Sequence, residues 1–250
     1  MCMSIVAKEI SCSHCSAPVE FKAGEIVTTC KYCGFTTVIQ TGQAFNFEHS
    51  LILNNYDEAR MEKCVKFWMS TGFMKPGDLA KKSKIVESNL VYLPFWVVFG
   101  VAATKYKGIF ERISPPVVKE GQIEKEYNWL VLARKATVFP TREYVVPLTG
   151  KIPYDFKKIE AFAKVLNSEV DKDETLETAK RQIEHHHSFL LQQNVDRVLD
   201  LSTTLELKQM MYLHAPIWFV KYQYKDKLYQ LIIDGSTGNV LKGDIPLTRF

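Results

Sequence analysis

The stretch CSHCSAPVEFKAGEIVTTCKYCGF, Cys12 to Phe35, sets two Cys-x2-Cys pairs fourteen residues apart. Each pair folds into a tight knuckle whose sulfurs face one point, and two knuckles together supply four thiolates to a tetrahedral zinc at about 2.3 Å. Gly34, directly after the second pair, suits the positive φ that such a knuckle needs. PVEFK and EIVTT read as short strands around Ala23-Gly24, so the linker is expected to be a hairpin that brings the knuckles together. Two disulfides are the rival reading. They need an oxidising compartment, and the start MCMSIVAKEISCSHC lacks the basic segment and apolar core of a secretory signal. Four sulfur ligands leave no open position, so the expected cofactor is one structural zinc per chain on Cys12, Cys15, Cys30 and Cys33. His14 is the alternative ligand in a mixed site. Cys2 and Cys64 stay unpaired, Cys64 as a small core residue on a helix.

A module of this size cannot bury enough apolar surface to fold alone, whereas metal binding supplies about 10 to 16 kcal/mol. The ribbon and the body are therefore expected to have separate sources of stability. Within residues 1–45, Lys8, Lys22 and Lys31 balance Glu9, Glu20 and Glu25, and four thiolates on a divalent zinc add negative charge. Such a module attracts phosphate poorly at long range. These residues resemble the zinc-ribbon superfamily, found in general transcription factor B, RNA polymerase subunits and many ribosomal proteins. The resemblance implies a docking surface for nucleic acid or protein. Ser16 stands where many ribbons place Gly, and the module has no Arg.

The chain of 250 residues is 46% hydrophobic and 24% charged, with no low-complexity tract, so folded structure is expected nearly end to end. Its longest apolar run, Leu90 to Ala103, contains Pro94 and Gly100 and is shorter than the roughly 20 residues of a spanning helix. No transmembrane segment is read, and a cytoplasmic location is expected. NNYDEARMEKCVKFWMSTG carries an Asn cap, acidic residues in its first turn, and Met61, Cys64, Val65 and Trp68 at helical spacing, and stops near Gly72. A second helix is expected over YDFKKIEAFAKVLNSEV, with Phe156, Ile159, Phe162, Ala163 and Leu166 on one stripe. A third is expected from about Asp173 to Asp200, with Leu176, Ile183, Leu190 and Val198 inward. Its run His185-His186-His187 points in three directions about 100° apart, so it reads as a solvated or partly buried face rather than a metal site.

YLPFWVVFG at 92–100 is echoed by LHAPIWFVKY at 213–222, sharing Pro-x-Trp-x-Val through Pro94, Trp96 and Val98 and through Pro216, Trp218 and Val220. An internal repeat follows, with the prolines expected at strand starts and both tryptophans in the core. LYQLIIDGSTGNVLKG reads as a closing hairpin, strand Leu228 to Asp234, turn Gly235 to Asn239 and return Val240 to Lys242. It resembles the last hairpin of PepSY-like domains. The series of ribbon, Tyr-x-Pro-x-Trp strand and VVPLTGKIPYDFKKIEAF is similar to poorly characterised zinc-ribbon proteins labelled TFIIB-type or primosomal-protein-like. The expected fold class is α+β: a ribbon at 1–45, then two related halves of helix and antiparallel sheet at 46–150 and 151–250, the second PepSY-like.

No Gly-rich phosphate loop, Gly-x-Ser-x-Gly or His-Glu-x-x-His occurs, and no carboxylate pair has a spacing that suggests acid and base. The expectation is a non-catalytic zinc-binding protein that docks on a macromolecular assembly, such as transcription or translation machinery. The alternative is a protein–protein adaptor with no nucleic-acid contact, with an enzyme a distant third. Lys81, Lys82, Lys84, Lys105 and Lys107, interleaved with aromatics, are the candidate contacts to nucleic acid or another partner; short lysine runs also serve simply to solubilise a surface.

Overall fold

The computed structural model describes residues 8–22, 24–39, 48–72, 74–135, 137–142 and 144–246; Cys2, Ala23 and the expected 45/46 boundary lie outside them. With about 19% helix and 47% strand, the fold mixes α and β, and the four cysteines cluster at its N-terminal end.

Strands β1 (Lys8–Ser11), β2 (Pro18–Phe21), β3 (Val27–Thr29) and β4 (Thr36–Val38) form two separate antiparallel pairs, β1 with β2 and β3 with β4. Each knuckle is thus the turn of its own hairpin, which corrects the expected pairing across Ala23-Gly24. The reason is local closure. Ser16 N–H donates to Cys12 C=O and Cys12 N–H to Ala17 C=O, each at 2.8 Å, and Gly34 with Cys30 and Cys30 with Phe35 repeat the pattern. Short loops close at low entropic cost, so the ladders form beside the knuckles.

The body follows as β5 (Glu48–Ile52), α1 (Glu58–Ser70), the single turn α2 (Leu79–Lys82), β6 (Lys84–Phe110), β7 (Val117–Leu132), β8 (Lys151–Pro153), β9 (Lys164–Val165), α3 (Lys172–Leu191), β10 (Arg197–Tyr224), β11 (Lys227–Asp234) and β12 (Val240–Gly243). All its strands belong to one mixed sheet of eight. Strands of 27 and 28 residues, β6 and β10, run antiparallel down its centre. Along its outer edge β10 takes β5 in parallel and then β11 antiparallel. Along the opposite edge β6 takes β9 in parallel and then β7 antiparallel. β8 extends β5, and β12 extends β11.

Strand alternation sorts the core into two faces. Both long helices cover the even-numbered face: Met61, Val65 and Met69 of α1 pack with Trp218, Val220 and Tyr222, and Ala179 of α3 packs with Trp96, Val98 and Tyr212. The odd-numbered face, with Leu93, Phe95, Leu213 and Ile217, is covered by Phe139, Tyr144, Val146 and Leu148.

Contacts recur at fixed positions along β6 and β10. Val165 pairs with Tyr92 and Leu51 with His214. Ala133 N–H donates to Pro94 C=O at 3.0 Å, and Gly235 N–H to Pro216 C=O at 2.8 Å. Asn55 N–H donates to Gly235 C=O and Glu169 N–H to Ala133 C=O, both at 2.8 Å. Asp57 caps α1 through Arg60 N–H, and Asp171 caps α3 through Glu174 N–H. The indole of Trp96 donates to Val170 C=O at 3.1 Å, and that of Trp218 donates to Asn54 Oδ1 at 3.2 Å.

Pro94 and Pro216 lie inside the two central strands, facing His214 and Tyr92, not at strand starts. A strand residue's N and O point to the same edge, and each proline's C=O accepts from the outer side. The missing N–H therefore faces the gap where β9 gives way to β7, or β5 to β11, and no ladder bond is lost.

Helix α1 forms as its periodicity dictates, but its cap is Asp57 and not the expected Asn, because the side-chain amides of Asn54 and Asn55 donate to Tyr56 C=O and Ser236 C=O. The closing hairpin pairs Ile233 with Val240 as read. The second expected helix does not form. Residues 156–158 make one 3₁₀ turn, and β9 then fills the open edge of β6, where Leu166 N–H donates to Tyr92 C=O at 3.1 Å. Satisfying a buried sheet edge outweighs a helical stripe. Helix α3 ends at Leu191 and buries Thr175, Ala179, Ile183, His187 and Leu191, whereas Val198 belongs to β10.

Candidate metal centre

Sulfur atoms of Cys12, Cys15, Cys30 and Cys33 all lie within 4.8 Å of one another. Cys12 to Cys33 and Cys15 to Cys30 are both 3.7 Å apart. Four ligands at about 2.3 Å from a tetrahedral ion have edges of about 3.8 Å, so the cluster fits a four-coordinate thiophilic metal. Ser16 (φ 58°) and Gly34 (φ 76°) take the same left-handed place in the two knuckles, so Ser16 holds a backbone conformation that glycine adopts more easily. Burial and the neighbouring thiols push Cys33 up to about 12. Against the cost of burial, backbone N–H groups of Cys15 and His14 draw Cys12 down to about 7. A bound cation would replace the remaining thiol protons. His14 stacks on Phe35 at 5.4 Å between ring centroids, outside the sulfur cluster. Cys64 is half-buried on α1, and burial raises its thiol.

The second knuckle hairpin is built into the body. Val27 packs with Trp96 and Tyr212, and Ile26 N–H donates to Ser168 C=O at 2.8 Å. Glu25, 4% exposed at its side chain, faces Arg134 at 3.4 Å, and Arg134 holds Glu169 at 2.8 Å. Asn167 Nδ2 donates to Glu25 Oε2 at 2.9 Å. A hydroxyl and imidazole chain makes a second link: Thr29 Oγ1 to Thr36 Oγ1 at 3.2 Å, Thr36 Oγ1 to His49 Nδ1 at 2.9 Å, His49 Nε2 to His214 Nδ1 at 2.9 Å, and His214 Nε2 to Leu166 C=O at 2.9 Å. Tyr154 stacks on His49 with centroids 4.0 Å apart.

The candidate lysines divide. Lys81 and Lys82 on α2 adjoin Lys84 at the start of β6, and Lys82 pairs with Asp78 at 2.7 Å. Lys105 and Lys107 lie near the far end of that strand, and Lys107 pairs with Glu120 at 2.7 Å. The strand rises about 3.3 Å per residue, so the two groups do not form one surface. Of the three histidines on α3, His185 is exposed, His186 half-buried and His187 buried against Thr104 (2.6 Å) and Tyr127 (2.7 Å).

The residues that join the ribbon to the body, His49, His214, Glu25 and Arg134, were not singled out by sequence reading. A histidine inside the apolar run YLHAPIW was the available signal, since a buried imidazole needs partners. The chain matches no family model, no curated protein and no solved structure. No described helix is long and apolar enough to cross a membrane.

Proposed function

We propose that the four thiols hold one structural zinc and that the chain is a non-catalytic, cytoplasmic interaction protein that docks on a macromolecular assembly. The supporting observation is a closed sulfur cluster whose knuckle tips face solvent. Ser13, His14, Lys31 and Tyr32 are exposed there, Tyr32 at 57%, with Lys31 5.4 Å from its ring. An aromatic held out on a rigid turn is an interface anchor rather than a core residue. In the same reading the body is two related β-α-β-β units, β5 to β7 and β9 to β11, merged into one sheet. The recurring caps, parallel pairs and cross-strand bonds support it, because Asp57 and Asp171, Leu51 and Val165, and Asn55 and Glu169 are each 114 residues apart.

Between the two partner classes, the split and partly neutralised lysines favour protein over nucleic acid. Phosphate tracking needs a continuous basic surface. The experiment is a pull-down with and without nuclease, using the native chain and Tyr32→Ala. Nuclease-resistant partners lost with Tyr32→Ala are expected. Partners lost on nuclease treatment and retained by Tyr32→Ala would transfer the assignment to nucleic acid and the body lysines.

A further inference from the structure

A cleft of about 530 Å³ opens beside β7, lined on one wall by Gln182 and His186 of α3 and on the other by Phe139, Arg142 and Tyr144. Its size falls in the range of small-molecule sites. It lies apart from the knuckles, and neither the zinc nor the docking tips make use of it. Among the described residues β7 pairs with β6 alone, so the cleft wraps around a sheet edge. Trp129 forms the floor and is fixed there, its indole donating to Gln182 Oε1 at 2.8 Å. Phe139 and Tyr144 pack edge-on to each other, 5.4 Å between centroids, and both rest on Phe95. The aromatic walls are therefore rigid and present in advance of any ligand.

Among the described residues the cleft's charge has one sign: Arg142 is the charged side chain of that lining, and no described carboxylate joins it. Arg142 has no hydrogen-bond or ion-pair partner among the described residues. His186 feels Lys125 and Arg142 as well as its own burial, and all three hold its pKa below the ordinary value. Tyr144, 4% exposed, also lines the adjoining cleft of about 300 Å³, and its hydroxyl is buried without a partner. Buried polar atoms are ordinarily satisfied, so an unpartnered one at a cleft wall is a place for a ligand atom or a water.

We propose that this cleft binds a small planar aromatic acid, its ring lying against Trp129 and Phe139 and its anionic group held by the guanidinium of Arg142. Arginine is suited to this, since its planar fork meets a carboxylate or phosphate through two parallel hydrogen bonds. The aromatic walls give the affinity, and the unpaired cation sets the class.

The test titrates the full, metal-loaded chain with 2-naphthoate and with its neutral analogue 2-naphthamide, followed by saturation-transfer NMR and calorimetry. Saturable one-to-one binding of 2-naphthoate is expected, at least tenfold tighter than that of 2-naphthamide. Arg142→Gln should weaken the acid tenfold or more and leave the amide unchanged. Because Arg142 is exposed and has no partner among the described residues, an unchanged melting temperature will show that the variant is folded. Trp129→Leu should weaken both compounds together. Equal binding of acid and amide, acid binding that survives Arg142→Gln, or no saturable binding at 5 mM would each overturn the proposal.

Discussion

His49 Nε2 lies 2.9 Å from His214 Nδ1, and the pair has only one workable proton arrangement. Leu166 C=O can only accept, so His214 Nε2 carries a hydrogen and His214 Nδ1 accepts from His49. His49 Nδ1 then accepts from Thr36, whose hydroxyl accepts from Thr29. Both rings are neutral, and a proton added to either would reverse the donors along the chain and leave a charge buried between the sheet and the ribbon.

Acid should therefore weaken the fold. Burial draws His214 down to about 4 from an ordinary 6.5, and burial and His214 itself hold His49 well below that ordinary value. Between those two pH values the unfolded chain binds protons that the native chain refuses, so stability present above pH 6.5 declines as pH falls toward 4. His214 alone accounts for about 3 kcal/mol by this linkage. Urea midpoints measured from pH 7.5 to 4.5 should show the decline, and His214→Phe should flatten it whatever its effect at neutral pH. An unchanged slope in that variant would remove His214 from the explanation.

Metal removal should be felt in the body as well as in the ribbon. Val27, three residues before Cys30, packs with Trp96 and Tyr212, and Glu25 shares Arg134 with Glu169. The expectation of separate stabilities overlooked this shared core, because nothing in a Cys-x2-Cys spacing reveals what lies beneath it. Cys30→Ser, or chelation of the native chain, is expected to lower the melting temperature of the whole chain and to speed amide exchange in α3. Loss of ribbon structure alone, with α3 exchange unaltered, would restore the view of two independent modules.

The sequence was most legible where a local rule governs. The cysteine spacing, helix α1 apart from its cap, and the closing hairpin each need only neighbouring residues. It was least legible where distant strands decide. Residues 154–170 carry a helical stripe, but the edge of β6 left open beside Tyr92 takes Lys164 and Val165 as β9. The central strands were expected to start at Pro94 and Pro216, whereas they begin at Lys84 and Arg197, because the partner strand and not the local sequence decides where each ladder starts. The buried imidazole pair joins positions 165 residues apart and has no local signature.

At Gly100 the two central strands leave no room for a side chain. A Cβ there would meet Glu206 C=O at 2.5 Å, beside the bulge between Leu207 and Gln209. Backbone cannot yield as a side chain can, so Gly100→Ala should cost about 1 to 3 kcal/mol. Gly150→Ala, with nothing within 4 Å of the new carbon, is the matched control and should be near neutral. Equal midpoints for the two variants in urea would show that β6 and β10 have room to separate.

Arg134 is the most demanding position in the ribbon–body contact. Its side chain is 11% exposed and serves Glu25 at 3.4 Å, Glu169 at 2.8 Å and Asn167 C=O at 3.0 Å, while its Nε has no partner. Removing one member of a buried ion pair leaves the other charge uncompensated, which costs about 3 to 5 kcal/mol. Arg134→Met is therefore expected to destabilise the native chain by about that amount. The double variant Arg134→Met with Glu25→Gln should recover a large share, because the buried carboxylate is then gone and Gln can still accept from Lys22 N–H and Asn167, as Glu25 does at 2.9 Å. A full double-mutant cycle in urea measures this directly. Additive losses would mean that Glu25 is stabilised by its neutral donors rather than by Arg134, and that the guanidinium serves Glu169 alone.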